Sequence, residues 1–406
     1  IEEEEGPSLL GDLQRWRRPE DEPTLLWIVG PKSAGKSTLT MQLSNRLRVH
    51  CPELEVIYLE TDVGQPSIGP PGMLSYHCVT GHFLNLPRFR KLPPFSFAVG
   101  SVTPSADPSR YFLGLRTCCQ QIRCCHPGAI VLVNAPGWSG GLGRDFLKAS
   151  AHILRPAVLL SLEEENPPGV LSLGEDLQGA MASGEARARC RRYCQDMNID
   201  IDIDIHSLED SPSSEGGQQR SLLESASVQT DAYALDCLAL DRPYPGGKPL
   251  VLPLPCYQQG LRHAEALAGG NRRHVLLASH LLHGLPFVSS LAFSFQSAPA
   301  FALSFDHPAA QALHPGCLQQ VVALESNSNW CIGYGVLASL DLRQRTWIIL
   351  APWDVSQVHH LRLTSLSIPL QLLEKVGPFL TQLALSKSSG GGKLHVRRSV
   401  KRNRHP

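Results

Sequence analysis

Residues 27–39 constrain this chain most. They read WIVGPKSAGKSTL, an apolar run passing into G-x-x-x-x-G-K-S. In that spacing the glycines let the backbone curl so that its N–H groups face a polyphosphate. The lysine then reaches the β- and γ-phosphates, and the following hydroxyl meets Mg²⁺. The apolar run 25–29 predicts a buried strand, and apolar residues recur at helical spacing over 39–47. A strand, a phosphate loop and a helix are therefore expected in that order. Gly30, Pro31, Lys32, Ser33, Ala34, Gly35, Lys36, Ser37 and Thr38 are expected to hold ATP or GTP. The competing reading is a glycine-rich turn that holds nothing.

An acidic element follows the next predicted strand: residues 58–65 read YLETDVGQ. Ligands of open α/β sheets gather at the carboxyl ends of the strands, so Glu60 and Asp62 are expected beside Lys36 and Ser37. Their spacing of two sends both side chains to one side. Ser37, Glu60 and Asp62 are then candidate Mg²⁺ holders, and one carboxylate can accept a proton from an attacking hydroxyl. A solvated acidic turn is the plainer alternative. A third element, residues 133–143 (VNAPGWSGGLG), places Trp138 among glycines with little bulk to cover it. An exposed indole there would stack on a nucleobase, whereas packing between elements is the ordinary role of an isolated tryptophan.

Residues 187–193 (RARCRRY) carry four arginines, either a lid closing over the phosphates or a solvated basic helix face. The alternation of 198–205 (NIDIDIDI) predicts a strand with one acidic face. Of the 12 cysteines none makes a C-x-x-C pair, so neither a disulfide scaffold nor a zinc ribbon is expected, and a reducing compartment fits. Cys118 and Cys125, seven apart on a predicted helix, read as packing residues.

Of 406 residues, 42% are hydrophobic and 18% charged, enough for two or three domains. The formal charge of zero hides opposite ends. Glu2 to Glu5 open the chain, whereas no acid follows Glu374. The tail holds Lys387, Lys393, Arg397, Arg398, Lys401, Arg402 and Arg404, a polycation suited to an anionic partner or a nuclear address. No apolar run reaches membrane-spanning length. The chain begins with Ile1, and further material is expected before it. Short apolar runs alternating with helical segments predict an α/β fold: a parallel sheet of the P-loop NTPase type flanked by helices, with a second, β-rich C-terminal domain. The expected boundaries are an acidic linker over 1–23, the P-loop domain over 24–244, the β-rich domain over 245–386 and a basic tail over 387–406.

The phosphate loop at 30–37, the ETDVGQ run at 60–65 with Pro70, Pro71 and Gly72, the VGSVTP run at 99–104 and residues 134–143 together resemble the eukaryotic and archaeal P-loop polynucleotide 5′-hydroxyl kinases. Within these, the chain is most similar to the nucleolar branch that processes pre-ribosomal RNA. Residues 331–335 through Ala351 and Pro352 resemble that branch's C-terminal domain. The resemblance implies that Lys36, Ser37 and Thr38 bind ATP and Mg²⁺ and that Asp62 activates the 5′-hydroxyl. It further implies that Gln65 and Trp138 contact the nucleic acid end, Trp138 by stacking on the terminal base, and that Arg189 is the lid arginine acting with Lys36 and Asp62. It implies RNA with a 5′-hydroxyl end as substrate, an endoribonuclease partner, a nuclear and nucleolar location and no membrane. Relatives in messenger-RNA end processing keep open a second reading, a non-catalytic ATP-binding scaffold of a nuclease complex.

Overall fold

Strand β1 (Thr24–Val29) shows why the first half folds as a sheet covered on both faces. All six of its residues are buried, and they alternate between two cores. Leu25, Trp27 and Val29 face one core, and Leu26 and Ile28 the other. A strand hydrophobic on both sides needs a layer of helices on each. The computed structural model describes residues 22–81, 95–163, 171–182, 250–255, 277, 300–311, 313–351 and 356–366.

Helix α1 (Lys36–His50) follows the phosphate loop and covers one face through Leu43 and Leu47. Strands β2 (Val56–Glu60), β3 (Met73–Cys78) and β4 (Phe95–Ala98) come next, then α2 (Pro108–Cys125), β5 (Ile130–Asn134), α3 (Leu142–Leu154), β6 (Val158–Glu163), α4 (Leu173–Ala182) and β7 (Leu250–Pro255). The helices α2, α3 and α4 cover the opposite face with Tyr111, Phe112, Leu115, Phe146, Leu147 and Leu177. The sheet order is β4-β3-β2-β5-β1-β6-β7. Strands β2, β5, β1, β6 and β7 run parallel, whereas β3 and β4 pair antiparallel at one edge. The sheet is thus mixed where a parallel one was expected. Only 12 residues separate β2 from β3, the lower limit for a crossover, and they form turns without a helix, so the chain doubles back antiparallel. The sheet also takes in Leu250–Pro255, past the boundary at residue 244 drawn from composition. Prolines had suggested a new domain there, but a sheet's outermost strand tolerates them.

The second sheet is antiparallel throughout, in the order β12 (His360–Leu363), β9 (Val321–Glu325), β10 (Cys331–Asp341), β11 (Thr346–Leu350), β8 (Ala300–Ser304). One of its faces joins Met73 and Ala98 of the first sheet in a shared core with Val321, Ala323, Tyr334, Val336 and Leu366. Trp330 sets its edge against Phe95 and Tyr76. The carboxylate of Glu325, 1% exposed, accepts from Arg110 at 2.6 Å and from Arg362 at 2.9 Å. Arg110 also donates to the carbonyl of Ala98, so the buried charge is paired from both sheets, as burial demands.

Among the described residues no helix is long and apolar enough to cross a membrane. The four arginines of 187–193 with Arg189, the acidic alternation of 198–205, the terminal linker and the basic tail lie outside the described residues.

Candidate nucleotide and phosphoryl-transfer site

The phosphate loop leaves β1 at Gly30, whose φ of 148° places it where only glycine sits easily. Space demands glycine as well, since a Cβ at Gly30 would lie 2.5 Å from the carbonyl oxygen of Leu162 on β6. Ser33 and Gly35 also take positive φ, 66° and 95°. Gly35 caps α1 without a side-chain hydrogen bond, and no acid stands in the first turn. The first N–H groups of α1 are therefore left facing an anion, which the helix dipole favours. The Lys36 ammonium, 6% exposed, donates to the carbonyls of Gly30 at 3.0 Å and Pro31 at 2.8 Å. The loop thus holds its own lysine in place across its mouth.

The ends of β1, β2 and β5 converge here as expected. Asn134, the last residue of β5, donates through Nδ2 to Ser37 Oγ at 3.2 Å and to Glu60 Oε1 at 2.8 Å. It bridges the phosphate loop to the acidic strand end. This residue was missed as a site member: a single asparagine at a strand end has no spacing pattern, although its place beside the GWSGG loop was a usable signal. Its Oδ1 is buried and accepts no hydrogen bond among the described residues. An unmet acceptor on the residue that bridges a serine hydroxyl and a carboxylate suits a hydrated Mg²⁺, whose waters are donors. The residues present therefore fit the ion.

The two carboxylates do different things. Glu60 is 1% exposed and accepts from the backbone N–H of Asp62 at 3.0 Å and of Ser67 at 2.7 Å, besides Asn134. Burial nevertheless wins: desolvation, then the neighbouring charge of Asp62, push its carboxyl up to about 8. Asp62 is half-buried, and its Oδ1 accepts from the N–H groups of Gly64 and Gln65, both at 2.9 Å. Its Oδ2 has no hydrogen-bond partner among the described residues. One oxygen fixes the side chain and the other is left over. Gln65 is half-buried on the same turn.

The Glu60 shift has a pH consequence. A carboxyl raised on folding binds its proton more tightly in the native state, so its stabilising effect is whole below about pH 4.5 and is lost as pH rises through about 8. Without nucleotide or Mg²⁺, Glu60→Gln should remove that decline. The variant should gain on native protein by on the order of a few kcal/mol between pH 5 and 8, read by denaturant melts. Parallel curves would show that Glu60 is ionised throughout.

The loop from Asp62 to Gly72 is braced by the segment after β4 and by the second sheet. A Cβ at Gly64 would meet the carbonyl oxygen of Val102 at 2.7 Å. Gly72, at φ 82°, donates to Val63 O, and its own carbonyl accepts from Val99 and Gly100. From the second sheet, the Tyr334 hydroxyl donates to Pro71 O at 3.2 Å, and Leu366 closes on Gly72.

Trp138 departs from expectation, being half-buried rather than exposed. Its indole lies over Gly143 at the start of α3, where a Cβ would come within 2.4 Å of Cγ. The Phe146 ring is 6.0 Å away, tilted by 34°. The glycines leave a seat for the ring instead of leaving it bare. The loop also reaches the phosphate loop, for a Cβ at Gly137 would stand 2.9 Å from Lys32 Cα. Packing and ligand contact are thus compatible at this residue.

Comparison with known proteins agrees with this arrangement. Residues 30–176 match the family model described as mRNA cleavage and polyadenylation factor CLP1 P-loop. The chain is 33% identical over 151 residues to polynucleotide 5′-hydroxyl-kinase GRC3 of Gibberella zeae, covering 34% of this chain and 21% of that protein. It is 31% identical over 145 residues to polyribonucleotide 5′-hydroxyl-kinase PH0197 of Pyrococcus horikoshii, covering 36% and 38%. To polynucleotide 5′-hydroxyl-kinase NOL9 of Danio rerio it is 24% identical over 438 residues, covering 96% of this chain and 53% of the relative. The chain thus spans about half or less of the length of these relatives. A solved Clp1p–Pcf11p complex shares the fold at TM-score 0.52 and 12% identity, covering 88% of this chain and 78% of that one.

Proposed function

Taking residues 30–176 as a P-loop domain of the CLP1 type, we propose that the chain carries the phosphotransferase centre of an ATP-dependent polynucleotide 5′-hydroxyl kinase. Its acceptor is the 5′-hydroxyl of RNA, with DNA as a further possibility of the same chemistry. The reading is supported above all by the hydrogen bonds of Asn134, which draw Ser37 and Glu60 into one cluster with Asp62 next along the chain. A protein that only held a nucleotide would need the loop but not a fixed carboxylate with one oxygen left over.

In this mechanism the N–H groups of 32–37 and the Lys36 ammonium take the β- and γ-phosphates, and Lys36 exchanges its bonds to Gly30 O and Pro31 O for phosphate oxygens. Ser37 and Glu60 would hold Mg²⁺ with Asp62 and Asn134 alongside; the ion would neutralise charge on the phosphates. Asp62 Oδ2 takes the proton of the 5′-hydroxyl as its oxygen bonds to the γ-phosphorus, and the bond from that phosphorus to the β-bridging oxygen breaks. ADP and a 5′-phosphorylated end result. Arg189 is proposed as the lid arginine, and Gln65 with Trp138 as contacts for the acceptor end. Pre-ribosomal RNA processing in the nucleolus beside an endoribonuclease is the setting this reading favours. The test is transfer of radiolabelled γ-phosphate to 5′-hydroxyl oligonucleotides. Absence of transfer with intact ATP binding would favour the scaffold reading, which the fold shared with Clp1p in its Pcf11p complex keeps in view.

Trp138 supplies a separate prediction. Stacking on the first base is indifferent to its identity because every base offers a π-face. Trp138→Ala should therefore cost about 1–3 kcal/mol of oligonucleotide binding, roughly 5- to 150-fold, equally for all four terminal bases. Trp138→Phe should recover much of it. The indole also covers Gly143, so the alanine variant should melt somewhat lower. Equal losses of ATP and oligonucleotide affinity in one folded sample would leave Trp138 a packing residue alone.

A further inference from the structure

At the far end of the first sheet from the phosphate loop, three elements meet. Glu55 immediately precedes β2, Cys78 ends β3 and His126 caps the carboxyl end of α2. A carboxylate oxygen, the thiol sulfur and a ring nitrogen from these residues all lie within 4.8 Å of one another. Glu55 Oε1 is 2.8 Å from His126 Nδ1, and burial, then the neighbouring Glu55, push the Cys78 thiol up. A carboxylate oxygen only accepts, so the imidazole donates to it through Nδ1–H, and the thiol beside them keeps its S–H. Two protons therefore stand where three metal-binding atoms converge. The other ring nitrogen, His126 Nε2, is buried without a hydrogen-bond partner among the described residues, and the side chain as a whole is 13% exposed. An ordinary surface pair of histidine and glutamate would leave that nitrogen to water.

We propose that Glu55, Cys78 and His126 form a zinc site that ties β2, β3 and α2 together. Thiolate, imidazole and carboxylate together suit Zn²⁺ rather than Mg²⁺ or Ca²⁺, which take oxygen ligands. Tetrahedral zinc, with bonds of about 2.0–2.3 Å, places its ligands roughly 3.3–3.8 Å apart. The widest pair, at most 4.8 Å, needs to close by about 1–1.5 Å and the Glu55–His126 pair, at 2.8 Å, to open by about half an ångström; the Glu55 side chain, 46% exposed, has room to move and leaves a path for the ion and for a water as fourth ligand. On binding, Zn²⁺ displaces the Cys78 thiol proton, which is released. The His126 proton passes from Nδ1 to Nε2, so that the Nδ1 lone pair faces the metal. No electron is transferred, and one proton leaves per ion. The site stands a strand's length from Lys36 and acts on stability, not on phosphoryl transfer.

The test uses the full chain, stripped with chelator, in a Cys124→Ser, Cys125→Ser background because those two thiols are exposed. Titration with Zn²⁺ should saturate at one equivalent and release about one proton. Co²⁺ should give a thiolate-to-metal charge-transfer band. Free zinc at a hundred times the dissociation constant should raise the melting temperature by about 5–10 °C. Cys78→Ser and Glu55→Gln, neither of which removes core volume, should each weaken binding by at least about tenfold and abolish or reduce that rise. His126→Asn should do the same. Affinity for ATP should stay constant throughout. No saturable binding, or binding and stabilisation that survive both Cys78→Ser and Glu55→Gln, would overturn the proposal.

Discussion

Lys36→Ala is expected to lower ATP-dependent phosphorylation of 5′-hydroxyl ends by at least about 10³-fold, to background. The side chain is almost fully buried, and its ammonium is held by the carbonyls of Gly30 and Pro31. It is thus held across the loop before any nucleotide arrives and has only those two bonds to exchange on meeting the β- and γ-phosphates. Its loss removes the one cation that the loop places there and leaves two inward carbonyls to repel the phosphates. ATP affinity should fall with turnover. The sheet should survive, because Lys36 sits beyond the last residue of β1 and contributes little to either core. Phosphorylation at the native rate by the alanine variant would move the active site elsewhere.

Asp62→Asn separates chemistry from binding. Asparagine keeps the Oδ1 acceptor for Gly64 N–H and Gln65 N–H, so the turn should hold its shape. What disappears is the basic oxygen. General-base catalysis contributes about 10²–10⁴-fold, and turnover should drop by that factor while ATP affinity changes little. If nucleotide affinity and turnover fell together, Asp62 would be chiefly a metal holder and the proton would leave by another route. Glu60→Gln in the same assay provides the contrast. Its parent residue accepts two hydrogen bonds on Oε1 and one on Oε2 and is proposed to hold Mg²⁺ rather than to take the proton, so its loss should act through Mg²⁺ dependence.

The contrast between these two carboxylates shows where sequence is informative. Strand, loop and helix around Gly30 were legible because fixed spacing and hydrophobic period both act locally. That Glu60 comes near Ser37, the two bridged by Asn134, was legible because strand ends converge in an open α/β sheet. The different roles of Glu60 and Asp62 were not, because burial depends on Asn134 and Ser67, which arrive from other turns of the chain. The antiparallel pair β3 and β4 was hidden for a related reason: edge strands show the same apolar runs as central ones, and only the short connection betrays their direction. Trp138 looked exposed because glycines leave no bulk in sequence, yet in space they leave a seat. The joining of Leu250–Pro255 to β6 is set by pairing across more than eighty intervening residues, beyond the reach of composition.

The wall around the turn that carries Asp62 bears on how small such a catalyst can be made. That turn ends at Gly72, which is pressed by Leu366 and Tyr334, residues nearly three hundred positions further along. A fragment stopping at residue 176, where the family match ends, would keep the phosphate loop and the base but open one side of the base's own turn to water. Miniaturisation should therefore spare nucleotide capture and lose the aim of the proposed proton acceptor, so the smallest unit expected to transfer phosphate is the pair of sheets, not the matched segment alone.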